Sequence, residues 1–185
     1  RKRYPRIHLD ADQALVDGGR TLTAGAMTAH TDLVLHLLRR LGGVALARQV
    51  GSIMLVDGAR TSQRPFMTIP RNFVDPLVDR AAGWLGERLA ESVSMEALAW
   101  ALNVSYRTLS RRFLEAAGMG PLAYLQALRI ERAKEMLETS STDFESITGQ
   151  VGYGDLSSFR RLFKRETGLS PVQYRKRFRG LPSKR

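Results

Sequence analysis

Arginine and lysine number 29 in this 185-residue chain against 18 aspartates and glutamates, a net charge of +11. Charge of that sign attracts polymers rich in phosphate. Two short clusters combine it with hydroxyls, the side chains that hydrogen-bond to base edges: Arg107, Ser110 and Arg111, then Ser157, Ser158, Arg160 and Arg161. Thr108, Arg112, Lys164, Arg165 and Arg175 surround them and suit phosphate contacts. Other chemistry is poorly supplied. There is no cysteine, which excludes disulfides, zinc ribbons, iron–sulfur clusters and thiol nucleophiles within this sequence. His8, His30 and His36 share no metal-ligand spacing, and His36 lies among leucines, where a hydrogen-bonded core histidine is expected. Residues 25–29 (GAMTA) lack the glycine spacing and lysine of a phosphate loop and read as a tight strand-to-helix connection. The expectation is therefore no catalytic residue, no metal, no cofactor and no enzymatic activity.

The elements that must position these clusters are helical from Phe73 onward. Val74, Leu77, Val78, Ala81 and Leu85 follow the i, i+3, i+4 rule and predict a helix ending near Glu91. Ser94 starts a second, with Ala97, Leu98, Ala101 and Leu102 on one face. Asn103 breaks it, and Ser105 caps a third carrying Leu109, Phe113 and Leu114. Beyond Gly118 and Pro121 a long connecting helix reaches residue 140, with Leu125, Leu128, Ala133, Met136 and Leu137 apolar. Trp84 and Trp100 fall on apolar stripes and are expected in the core.

An internal repeat organises this half. At an offset of 50, Leu109 meets Phe159, Phe113 meets Phe163, Gly118 meets Gly168, Pro121 meets Pro171 and Tyr124 meets Tyr174. Upstream the offset is 49, pairing Leu98 with Ile147, Leu102 with Val151 and Asn103 with Gly152, so the second turn is one residue longer. Apolar anchors, turn breakers and a Gly-then-Pro exit recur in one order, which makes each copy a helix-turn-helix. For an isolated helix, outward arginines are most often a solvated face; recurrence in two recognition-helix positions favours a nucleic-acid contact.

Pro65, Pro70 and Pro76 mark residues 65–76 as a linker. Before it, residues 14–24 read as two short strands around an Asp-Gly turn, and Thr31-Asp32 offers an N-cap for a helix through Leu41 that is apolar around most of its circumference. A further helix is expected around residues 44–55. No apolar run reaches the roughly 18 to 20 residues that span a bilayer, and the basic opening RKRYPRIHLD is not followed by a secretory apolar region. A cytoplasmic location is expected, with no membrane partner, and residues 181–185 read as a loose basic tail.

The residues Ile147-Thr148-Gly149-Gln150-Val151-Gly152-Tyr153, Asp155-Leu156-Ser157-Ser158-Phe159-Arg160-Arg161-Leu162-Phe163-Lys164 and Gly168-Leu169-Ser170-Pro171-Val172-Gln173-Tyr174 resemble the signature of the AraC/XylS transcription regulators, with Thr148 standing where that family has alanine. The N-terminal residues Leu15-Val16-Asp17-Gly18, Leu22-Thr23-Ala24-Gly25 and Thr31-Asp32-Leu33 are similar to the end of the PfpI-type, amidotransferase-like domain of one subgroup. The resemblance implies a mainly α fold: two helix-turn-helix units joined by a long linker helix over residues 77–181, preceded in residues 1–64 by the C-terminal remnant of an α/β flavodoxin-like domain truncated at its start. It implies a sequence-specific DNA-binding regulator, an activator, whose helices 105–115 and 155–166 enter successive major-groove segments about 34 Å apart. Promoter or operator DNA, RNA polymerase, a homodimer through the N-terminal part and an unknown small-molecule effector are the partners it adds. The rivals are a non-specific nucleic-acid binder and a fragment of a PfpI-type hydrolase, the latter lacking its nucleophile here.

Overall fold

The computed structural model describes residues 7, 10–25, 29–56 and 62–179. His8, residues 26–28 of the glycine-containing connection and the basic tail lie outside the described residues. The chain divides into a first unit ending at Met67 and a second beginning at Thr68.

In the first unit, β1 (Leu15–Asp17) pairs antiparallel with β2 (Leu22–Ala24), matching Leu15 to Ala24 and Asp17 to Leu22. Gly19 takes φ +80° in the turn and donates its N–H to Asp17 Oδ1 at 2.7 Å. The helix α1 (Ala29–Ile53) begins three residues before the sequence-predicted cap, so Asp32 sits inside the first turn and is buried. Gly43, at φ 84° and ψ 170°, kinks α1 and separates the two helical stretches expected there. Leu41, Val44, Ile53 and Leu55 are exposed around and beyond that kink. His36 Nε2 lies 2.9 Å from Asp17 Oδ2, tying the hairpin to α1 as a half-buried hydrogen-bonded histidine. That bond first, and the Gly19 N–H second, hold the Asp17 carboxyl below its ordinary range.

The second unit has seven helices among the described residues: α2 (Pro76–Glu87), α3 (Met95–Ala101), α4 (Tyr106–Ala117), α5 (Pro121–Thr139), α6 (Phe144–Gln150), α7 (Leu156–Thr167) and α8 (Pro171–Phe178). Asp75, not Val74, opens it: its Oδ1 accepts from the N–H groups of Leu77 and Val78, and Pro76 takes the first helical position. Val74 is left outside the helix and fully exposed. Within the stretch read as a linker, Ile69 and Phe73 pack on the core of the second unit and Tyr124 Oη donates to the Pro70 carbonyl at 2.9 Å.

Two cores lie along α5. The first gathers Leu77, Val78, Ala81, Leu85, Leu98, Leu109, Phe113, Tyr124 and Leu125; the second gathers Ile130, Ala133, Leu137, Ile147, Val151, Phe159, Phe163 and Tyr174. Burying a side chain of this size contributes on the order of 1.5–3 kcal/mol each, so each helix-turn-helix carries its own apolar core on a shared helix. Trp100, expected in the core, is instead 83% exposed, because Met95, Leu98 and Ala99 form the buried stripe of α3. Trp84 is half-buried beside the first core, with the Arg88 guanidinium 4.5 Å from its ring centroid.

Candidate nucleic-acid interface

Each recognition helix is fixed at both ends by sequence. In the first copy Asn103 adopts φ 54°, the Val104 N–H bonds back to the Ala99 carbonyl at 3.0 Å, and Ser105 Oγ accepts from the Thr108 N–H. In the second, Gly152 adopts φ 75°, the Tyr153 N–H bonds back to the Thr148 carbonyl at 3.0 Å, and Asp155 Oδ1 accepts from the Ser158 N–H at 2.6 Å. A bond from the Ser158 hydroxyl first, and that backbone bond second, hold the Asp155 carboxyl below its ordinary range. Gly118 and Gly168, at φ 73° and 74°, close α4 and α7 in the left-handed conformation. Thr148, where alanine is usual, is buried and donates to the Phe144 carbonyl at 2.7 Å, so its hydroxyl is satisfied within α6.

With Leu109 and Phe113 buried, 100° per residue sends Arg107, Arg111 and Leu114 to the opposite side of α4. The same rotation sends Ser157, Arg161 and Lys164 outward on α7. All six are exposed. The side chains of Arg107, Arg160 and Lys164 make no hydrogen bond or ion pair with the described residues, which leaves their donors open to a ligand. Arg111 Nη1 reaches Glu115 Oε1 at 2.9 Å, an exposed i,i+4 pair of little net worth that a phosphate or base can displace. Arg161 Nη2 donates to Ser158 Oγ at 3.0 Å, which leans it over the start of α7. Thr108 Oγ1 is 2.9 Å from Ser105 Oγ and serves the cap, while Arg165 pairs with Glu166 on the exposed side.

Three residues assigned to the interface from sequence point elsewhere. Ser110 lies on the flank beside the core, and its Oγ is buried with no hydrogen-bond partner among the described residues; Arg160, at the same repeat position, is exposed. Arg112 is turned back: its Nε and Nη2 bind Asp75 Oδ2 and Oδ1, both at 2.7 Å, clamping α4 to the start of α2. That guanidinium pulls the Asp75 carboxyl below its ordinary range. Arg175 donates to the Leu137 and Thr142 carbonyls, stapling α8 to the end of α5. Periodicity placed the two arginines near the face, but no local pattern names a partner 33 to 38 residues away.

The sequence reading also missed Arg129. From α5 it donates to the Leu89 carbonyl at 3.0 Å and the Glu91 carbonyl at 2.7 Å, and its guanidinium lies 5.6 Å from the Tyr153 ring centroid. Burial lowers its pKa from the ordinary arginine value, with Tyr153 opposing. Beside it Leu89 packs against both cores, and a Cβ on Gly152 would come within 2.5 Å of the Ala90 carbonyl oxygen. This junction ties the turn of the second copy to the loop after α2, so the two recognition helices are held in one fixed relation.

Residues 98–177 match the family model described as a helix-turn-helix domain. A transcriptional activator, RhaS of Escherichia fergusonii, is 36% identical over 101 residues, 55% of this chain and 36% of that protein. A putative AraC-like transcription regulator of Streptomyces lividans is 32% identical over 176 residues, 93% of this chain and 56% of the relative. The chain thus spans little more than half the length of that relative. The solved DNA-binding domain of AdpA, a global transcriptional factor in complex with a target DNA, is 35% identical, with a TM-score of 0.53 over 56% of this chain and 93% of that one. With its paired, capped helix-turn-helix units on one linker helix, the chain belongs to the AraC-type helix-turn-helix transcription regulators.

Proposed function

We propose that the chain is a sequence-specific DNA-binding transcription regulator that lays α4 and α7 in successive major-groove segments on one face of the duplex, about one helical turn apart. Arg107, Arg111, Ser157, Arg160 and Arg161 read base edges, and Lys164 and Arg165 neutralise phosphates. The observation that carries this reading is the repeated outward stripe on two capped helices whose separation Arg129 and Leu89 fix. A rigid pair of readers gains specificity over either alone, because the second binding event is already oriented.

In the same reading the regulator is cytoplasmic and an activator that meets RNA polymerase, in keeping with RhaS being named an activator. No helix among the described residues is long and apolar enough to cross a membrane. The first unit is PfpI-type and serves dimerisation or the sensing of a small-molecule effector, with no chemistry of its own. Its exposed Leu41, Val44, Ile53 and Leu55 suit an association surface, and the match to the Streptomyces lividans regulator runs through this unit.

Selection of the whole chain against a random duplex library tests the proposal. Enrichment of a bipartite site with two half-sites about one turn apart is expected. A pool that binds without enrichment, and equally as single strands, replaces this reading with non-specific charge binding.

A further inference from the structure

The stripe that faces outward on α4 contains one residue that neither charge nor capping explains. Leu114 is 60% exposed, three residues after Arg111 and seven after Arg107, about 10.5 Å along the helix from the latter. The repeat supplies an internal control, since the same position of α7 is the exposed Lys164. A surface position in both copies therefore carries charge in one and a branched apolar side chain in the other. Beside Arg107, Arg111 and Glu115, a lone leucine gains nothing from water or phosphate. Within a major groove the apolar group available to it is the C5-methyl of thymine, which apolar side chains recognise by contact.

We propose that Leu114 is a specificity-determining residue that reads a thymine methyl in the half-site bound by α4, two helical turns beyond the base contacted by Arg107. This rests on the reading of α4 as a recognition helix. The two copies then read by different means. The first combines arginine hydrogen bonds with an apolar contact, whereas the second uses arginine and serine with a lysine where the first has Leu114.

The experiment uses the whole chain and the duplex recovered by selection, with each thymine replaced in turn by deoxyuridine, which lacks only the methyl. In the half-site where Arg111→Ala relaxes base preference, one replacement should weaken wild-type binding about fourfold, the worth of one buried methyl group. Leu114→Ala and Leu114→Lys should bind the thymine and deoxyuridine duplexes equally, and Leu114→Lys should steepen the salt dependence. Unchanged melting temperatures check that both variants fold. Wild-type binding indifferent to every replacement, a half-site with no thymine, or a Leu114→Ala variant that still discriminates would overturn the assignment while leaving α4 a recognition helix. If no site is enriched at all, the parent reading fails first and this one with it.

Discussion

The two helix-turn-helix copies share a backbone and differ in what holds and what clothes it. At the position where the first copy has Arg112, clamped to Asp75, the second has Leu162, buried in its core. Tyr124 and Tyr174, both buried, donate respectively to the Pro70 carbonyl and, at 2.7 Å, to the Glu138 carboxylate. Burial first, and Glu138 second, push the Tyr174 pKa up, keeping it a donor. On the outer face α4 offers two arginines, one leucine and a glutamate, whereas α7 offers Ser157, Arg160, Arg161, Lys164 and Arg165. The shared geometry of the copies is thus achieved with interchangeable fasteners, while the outward stripe is free to diverge toward an apolar side chain in one, Leu114, and added charge in the other, Lys164.

The largest effect expected from breaking this comparison is in the cores. Phe113→Ala and Phe163→Ala each remove a fully buried ring and should cost about 3–5 kcal/mol in urea denaturation, a large share of the stability of a small domain. Because each ring belongs to a separate cluster on α5, hydrogen exchange should show Phe163→Ala losing protection first over residues 144–178 and Phe113→Ala first over 95–117. Loss spread evenly in both variants would show one indivisible core. Next in size are the readers. Arg111→Ala and Arg161→Ala should each weaken binding to the selected site by about 1–3 kcal/mol and relax preference at one base position. If either weakens random and selected duplex equally, that arginine is a phosphate contact and the contrast between the two faces must be redrawn.

The repeat made much of this legible before any coordinates. An offset of 49 that becomes 50 located both turns, both left-handed exits and the anchors Leu109, Phe113, Phe159 and Phe163, because each depends on local periodicity and on residue types with narrow backbone preferences. What stayed hidden depends on distant partners. Arg112, Arg175 and Arg129 look alike as basic residues on helices, and only folding brings Asp75, the Thr142 carbonyl and the Leu89 carbonyl to them. Trp100 shows the limit of the periodicity itself: on a seven-residue helix two adjacent stripes fit the apolar pattern, and the one containing Met95 was buried. The Asp32 cap failed because α1 starts earlier, with Asp32 buried in its first turn.

The Asp75–Arg112 clamp sharpens the comparison by pH. Because Arg112 depresses the Asp75 carboxyl, the clamp's stabilisation is present above the ordinary carboxylate range and is lost as pH falls through the lowered folded-state value. Asp75→Asn should therefore melt earlier than wild type at neutral pH, and the gap should close once acid has protonated Asp75 in the wild type. A gap unchanged down to strongly acidic pH would mean that the aspartate acts only as a neutral cap.

The smallest effect expected lies at the turns, where Asn103 and Gly152 occupy one repeat position with nearly the same φ. Gly152 is required twice over, by its left-handed backbone and by the Ala90 carbonyl that leaves no room for a Cβ. Asn103 is subject to the backbone demand, and asparagine meets it better than most residues with a side chain. Asn103→Gly relieves the remaining strain in the folded state but adds freedom to the unfolded chain, an opposing effect of about 0.4–1 kcal/mol. The two nearly cancel, so the variant should shift stability by no more than about 0.5 kcal/mol in either direction and bind the selected duplex as wild type does. Chemical denaturation of Asn103→Gly decides it. A loss well beyond that range would mean that the Asn103 side chain itself holds the first turn, so that the two turns differ in kind and not only in the space beside them.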